Sequence, residues 1–162
     1  MNTYWTIQRK NVWEQAKVIG CLTGSSEHIW PEFEVAYQWM IEQMSKRLNC
    51  LPSAPVWVWV DRPDMRSKNQ LGIKGVETVL LEVKLNPDLV LLSDFVSWHY
   101  VLNNFTVEFY DNEPIDKMLS WERIFDIETL CSLQDYGDCI LQGVTPTIHI
   151  EQLKCIKEFI AK

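Results

Sequence analysis

The chain has 162 residues, enough for one hydrophobic core and short for two, and its 47% hydrophobic and 23% charged residues exclude long disorder. A formal net charge of −7 excludes an extensive nucleic-acid interface, because such binding rests on Lys and Arg neutralising phosphates. Five cysteines without CxxC or zinc-finger spacing, no apolar run of membrane-spanning length and no signal-peptide core near residue 1 lead us to expect reduced thiols in a cytoplasmic protein without a membrane partner.

In chain order, residues 3–8 (TYWTIQ) are rich in β-branched and aromatic side chains and predict a first strand. Asn11 and Glu14 have capping-box spacing, which predicts a short helix through Val12, Trp13, Ala16 and Ile19, ended by Gly20. Thr23-Gly24-Ser25-Ser26 reads as a loop. Pro31 suits a first helical turn, after which Phe33, Tyr37, Met40, Ile41, Met44 and Leu48 give the clearest amphipathic stripe of the chain. Pro52, Ser53 and Pro55 form a stiff connection. Val56-Trp57-Val58-Trp59-Val60 then predicts a strand with valines on one face and indoles on the other. A charged loop at 61–66 and a polar, glycine-containing loop at 67–75 follow.

Residues 78–104 organise the middle of the chain. Val79, Leu81, Val83 and Leu85 alternate with Leu80, Glu82 and Lys84, the period of a strand with one face on a core. Asn86-Pro87-Asp88 breaks it, a short apolar run follows at 89–92, and Ser93 or Asp94 caps a helix carrying Phe95, Trp98 and Leu102 on one side. A hydroxyl, a carboxylate, the His99 imidazole and the Tyr100 phenol thus gather where backbone N–H groups lack partners. Residues 105–110 alternate as another strand. Asp111 to Pro114 ends it and starts a helix with Met118, Trp121, Ile124 and Phe125 as its stripe. Residues 132–138 read as a loop around Tyr136-Gly137, residues 139–142 as a short strand punctuated by Gly143 and Pro146, and residues 155–160 as a closing strand. About six strands and four helices, irregularly interleaved, predict an α+β fold: one domain spanning 1–162, with a mixed or split antiparallel sheet and flanking helices. Most of the eight tryptophans are expected inside.

No metal is expected, since His28, His99 and His149 are scattered, and neither a nucleophile elbow nor a phosphate-cradling glycine loop is present. What remains is a set of polar residues at strand ends: Thr6 and Gln8, Arg62 and Arg66, Ser93 and Asp94, and Gln142. Arginines beside indoles suit an anionic, planar ligand, through bidentate phosphate contacts and stacking.

The W-T-I-Q segment at 5–8, the R-P-D-x-R segment at 62–66, the S-D-F-x-x-W-H-x-V-L-N box at 93–103 and the S-W-E-R-I-F-D box at 120–126 resemble an uncharacterised bacterial family with no known activity. The order of elements is also similar to that of the ADP-ribosyltransferase-like superfamily, which includes DNA-modifying toxins and RNA 2′-phosphotransferases. Tyr4 to Gln8 followed by Gly20-Cys21-Leu22 resembles its opening strand and helix ending in G-x-L. Val79 to Asp94 resembles its apolar strand and S/T-D element, and residues 140–142 and 155–160 its last two strands. The resemblance implies NAD as cofactor, and it places Gln142 where the superfamily has a catalytic Glu. An amide cannot carry the charge that stabilises an oxocarbenium ion, so binding is better supported than turnover.

Two functions stay open. In one, a nucleotide-binding domain, with or without ADP-ribosyl transfer, uses Thr6, Gln8 and Arg9 from the first strand, Arg62 or Arg66 on phosphates, Ser93 on a ribose and Gln142 on a ribose hydroxyl or acceptor. Ser93 and Gln142 are then the catalytic candidates, and Asp94 and His99 complete the ligand set. In the other, a non-catalytic acidic protein binds a basic protein partner. The first requires that these side chains share one concave pocket flanked by indoles.

Overall fold

The computed structural model describes residues 1–67, 71–133 and 139–162. The strands are β1 (Asn2–Arg9), β2 (Cys21–Thr23), β3 (Val56–Trp59), β4 (Glu77–Leu85), β5 (Leu91–Asp94), β6 (Leu141–Thr145), β7 (Thr147–His149) and β8 (Leu153–Ile160). The α-helices are α1 (Lys10–Ile19), α2 (Glu34–Leu48), α3 (Phe95–Leu102), α4 (Lys117–Trp121) and α5 (Ile127–Leu133). Six strands form one antiparallel sheet in the order β5-β6-β3-β1-β4-β8, and β2 pairs with β7 beside it. The fold is α+β.

Partners directly opposite across an antiparallel ladder share a face. Tyr4, Val58, Val79, Leu81, Val83 and Leu85 therefore point together, and they bury against Trp13 and Ala16 of α1, Leu22 of β2 and Ile148 of β7. On the opposite face, Val144 and the half-buried Trp57 and Leu91 meet Trp39, Met40 and Met44 of α2, Trp98 and Val101 of α3, and Trp121 and Ile124. Each full burial of such a side chain contributes about 1.5–3 kcal/mol. On β4 Leu80 points away from Val79 and Leu81 and is as deeply buried as they are.

Local chemistry explains where the elements differ from expectation. β1 runs straight into α1, so Arg9 occupies the N-cap position without a capping side chain. The Asn11–Glu14 capping box does not form: Asn11 Oδ1 accepts from Val12 N at 2.9 Å, and Glu14 pairs with Lys17 at 2.7 Å. Gly20 does close the helix, at φ 94°, with its N–H on Ala16 O. The buried face of α2 is Ala36, Trp39, Met40, Gln43 and Met44, rotated from the expected stripe because the Trp39 ring packs on Trp121 (5.5 Å) and Phe125 (5.6 Å). The short strand β2 falls on Cys21–Thr23, just before and into the predicted loop.

Residues 105–110 are not a strand. Side chains meet their backbone groups instead: Trp121 Nε1 donates to Phe105 O at 2.8 Å, Ser120 Oγ accepts from Val107 N at 2.9 Å, and Arg123 Nη1 donates to Val107 O at 3.1 Å. Arg123 also grips Glu113 through two bonds of 2.6 and 2.7 Å, which holds the Glu113 carboxyl down to about 2. The predicted loop at 132–138 begins inside α5, and the part around Tyr136-Gly137 lies outside the described residues, as do residues 68–70. β6 starts two residues later than predicted and runs through Gly143, where a Cβ would sit 2.5 Å from Val90 Cγ1, so this glycine permits close packing within the strand. The expectation of five reduced thiols is also corrected: Cys131 at the end of α5 and Cys139 just before β6 form a disulfide, leaving Cys21, Cys50 and Cys155 free. Their separation of eight residues gave no recognisable spacing. No helix of the described residues is long and apolar enough to cross a membrane.

Candidate functional site

β1 pairs with β4 along its whole length, from Asn2↔Leu85 to Arg9↔Thr78, yet with β3 it shares the single pair Trp5↔Trp59. Beyond that pair, Thr6 Oγ1 donates to Trp57 O at 2.8 Å, so a side chain replaces a ladder bond, and Gln8 Nε2 in turn donates to Thr6 Oγ1 at 2.8 Å. The divergence opens a cleft of about 420 Å³, walled by Gln8 and Arg9 on one side and Trp57 and Trp59 on the other, with Ser25 and His28 at its rim. The loop after β2 reaches this cleft because Gly24 lies against the 54–55 backbone. A Cβ there would meet Ala54 O at 2.4 Å and Pro55 O at 2.5 Å. Arg9 is half-buried and has neither a hydrogen bond nor an ion pair among the described residues. The first turn of α1, which starts beside it, carries no acidic residue. Two sources of positive potential thus border one concavity.

A second concavity, of about 210 Å³, is also lined by Trp57 and Trp59 and is completed by Phe95, Trp98 and His99 of α3 and by Gln142 of β6. Gln142 lies opposite Trp59 on one side and Ser93 on the other, and its Nε2 donates to Ser93 Oγ at 3.4 Å. Both residues are buried. His99 uses Nδ1 on Phe95 O at 2.8 Å and rests its ring on Phe95 at 4.4 Å. Behind this wall the Trp57 Nε1 is buried without a hydrogen-bond partner among the described residues. Its neighbour is the Tyr37 phenol, whose pKa burial pushes up and the indole N–H pulls partly back, at a geometry too poor to count as a bond.

The predicted residues are therefore divided. Thr6, Gln8 and Arg9 line the cleft, while Gln142 and His99 line the aromatic pocket with Ser93 behind them. Ladder register sets Thr6 and Gln8 on the face opposite Trp59, Gln142 and Ser93, so one shared pocket does not form. Asp94 is the N-cap of α3, accepting from Ser97 N at 2.8 Å and Ser97 Oγ at 2.7 Å while fully buried. Of the two caps the sequence offered, it is the carboxylate that serves. Arg62 lies over the Trp5 ring at 5.1 Å, and Arg66 is clasped by Asp64 through two 3.0 Å bonds, which lower the Asp64 pKa. Gly24, Ser25 and His28 were missed, because a loop after so short a strand shows its role only once β2 is paired. No cluster of metal-ligating side chains occurs among the described residues.

Residues 3–113 match the family described as "Domain of unknown function (DUF3841)". That span holds the whole cleft and stops short of Gln142. No curated protein and no solved structure matches the chain.

Proposed function

We propose that this chain, which belongs to the family described as Domain of unknown function (DUF3841), binds an anionic nucleotide-type small molecule in the cleft between β1 and β3. The observation that carries the reading is Arg9, an arginine without an ion pair among the described residues, set in a cleft that Trp57 and Trp59 also line. A guanidinium at a helix start suits a diphosphate, and Gln8, Ser25 and His28 offer hydrogen bonds to ribose hydroxyls. NAD and ADP-ribose combine these groups. ADP-ribosyl transfer is less well supported, since Gln142 supplies an amide, at the bottom of the neighbouring pocket.

Calorimetric titration with ADP-ribose and with NAD tests this. Saturable heat is expected with at least one of them, and Arg9→Ala should weaken it roughly 10- to 100-fold, the worth of a charge-assisted bond. No heat and no thermal shift with either ligand overturns the reading.

A second reading, capture of a basic protein, is favoured by the outer face of α2. No Lys or Arg occurs from residue 18 to residue 45. There Glu34 and Glu42 line an open groove of about 550 Å³ with Val35, Ile41 and Met118. Binding of a Lys-rich amphipathic peptide that is abolished by the double change Glu34→Lys and Glu42→Lys would support this reading; equal binding of a Glu-rich counterpart would remove it.

A further inference from the structure

We infer that the gap between Trp57 and Trp59 is a slot for one flat heteroaromatic ring of adenine type, read at its edge by Gln142. The inference rests on the nucleotide reading above and says where the base of that nucleotide goes.

Spacing comes first. Two residues on the same face of a strand, i and i+2, stand about 6.6 Å apart. That is close to twice the contact distance of about 3.5 Å between carbon atoms, so two indoles at these positions leave room for one ring stacked between them. The ring contacts of the pocket fall into two groups. Tyr37, Trp57 and Trp98 pack together, with centroids 5.1 to 6.3 Å apart. Trp59, Phe95 and His99 pack together at 5.2 and 4.4 Å. Among the described residues no ring of one group touches a ring of the other, so each indole is held by its own aromatic partners and no third ring of the protein bridges the two groups.

The bottom of the slot has the chemistry of a reader. Gln142 is 4% exposed, and its Nε2 spends one hydrogen on Ser93 Oγ over a long 3.4 Å. Its Oε1 makes no hydrogen bond among the described residues. A carboxamide with one free acceptor and one remaining donor hydrogen matches the amino group and adjacent ring nitrogen of adenine in a bidentate pair. The Trp59↔Gln142 register sets that carboxamide directly beside one wall of the slot. At about 210 Å³ the pocket takes a single purine and not a dinucleotide. Trp57 and Trp59 line both this pocket and the Arg9 cleft, so the two concavities adjoin at β3, and a base in the slot stands next to the strand that borders the cleft.

The experiment uses the full chain with three probes: free adenine, purine without the amino group, and ADP-ribose. Adenine should bind in the millimolar range or tighter, with NMR transfer from its H2 and H8 to the indole protons of Trp57 and Trp59. Purine should bind at least about 10-fold more weakly, because a pocket built to pair with an amino group penalises its loss. Gln142→Leu should weaken adenine by a similar factor. Trp59→Leu, at a half-buried position, is the alternative variant if Gln142→Leu does not fold, and the wild-type NMR contacts need no variant. Adenine that fails to bind, or binds without contact to both indoles, overturns the slot, and so does equal binding of purine. If ADP-ribose binds through Arg9 while adenine does none of this, the cleft reading survives alone. If adenine behaves as expected and Arg9→Ala leaves ADP-ribose binding unchanged, the slot stands and the cleft reading falls.

Discussion

The two seams that β1 makes in the sheet are unlike each other. Against β4 it forms eight register pairs without a break, all antiparallel, with fully buried Val79, Leu81 and Val83 beneath. Against β3 it forms one pair, and the next backbone acceptor, Trp57 O, is met by the Thr6 hydroxyl. The difference shows how a continuous sheet makes a cleft: backbone pairing is withdrawn along one seam, and the groups thereby released are satisfied by side chains or left facing the opening. A strand held firmly on one side can diverge on the other without losing its place.

Breaking the closed seam should cost the most. Leu81→Ala, at 0% exposure in the centre of β4, should lower unfolding free energy by about 2–5 kcal/mol in a urea titration. Ligand affinity of the molecules that remain folded should stay the same. At the open seam, Gly24→Ala forces a methyl against two backbone carbonyls that cannot rotate away. A loss of about 1–3 kcal/mol is expected, and with it the loss of ADP-ribose binding, because the wall of the cleft must move. Thr6→Val keeps the shape and removes the bond to Trp57 O, at about 1–2 kcal/mol. Hydrogen exchange should quicken at residues 56–58 and stay slow along β4, which sharpens the contrast between seams.

The smallest effect lies away from both seams and serves as a control. The Glu113 carboxyl is held down to about 2 from an ordinary 4.5, so its contribution is complete above about pH 4.5 and is lost as pH falls toward 2. Glu113→Gln should therefore be less stable than the wild type at pH 7, and the gap should narrow between pH 4.5 and 2.5. A gap that stays constant with pH would mean that the Arg123 pair does not set that carboxyl's pKa.

Much of this was legible because it is periodic. The V-W-V-W alternation showed which side chains of β3 share a face, valines on one and indoles on the other, and the alternation of β4 did the same for Val79, Leu81, Val83 and Leu85, although Leu80 on its other face is equally buried. Gly20 as a helix end, and an acceptor at 93–94 as a helix start, follow from caps whose chemistry is local. The predictions failed where partners come from far away. Residues 105–110 alternate like a strand, yet Trp121, Ser120 and Arg123 take the backbone groups that a ladder would need. The rotation of α2 depends on Trp121 and Phe125, more than seventy residues away. For the site, the residue types were readable, but their distribution was not. Thr6 and Gln8 are two apart and share a face, whereas whether that face is the one carrying Gln142 depends on a register set by one pair, Trp5↔Trp59. Arg9 has no periodic signature at all, and it matters because β1 passes into α1 without a loop.

The position of β6 constrains the order of assembly. It lies between β5 and β3, both made earlier, and it is the sheet partner through which β5 joins the rest. During synthesis β1, β3 and β4 can pair as soon as they emerge, while β5 and one edge of β3 wait for residues 141–145 with their N–H and C=O groups open. The interval in which about fifty residues must be added before that insertion is when a nascent chain is most prone to join a neighbour edge to edge.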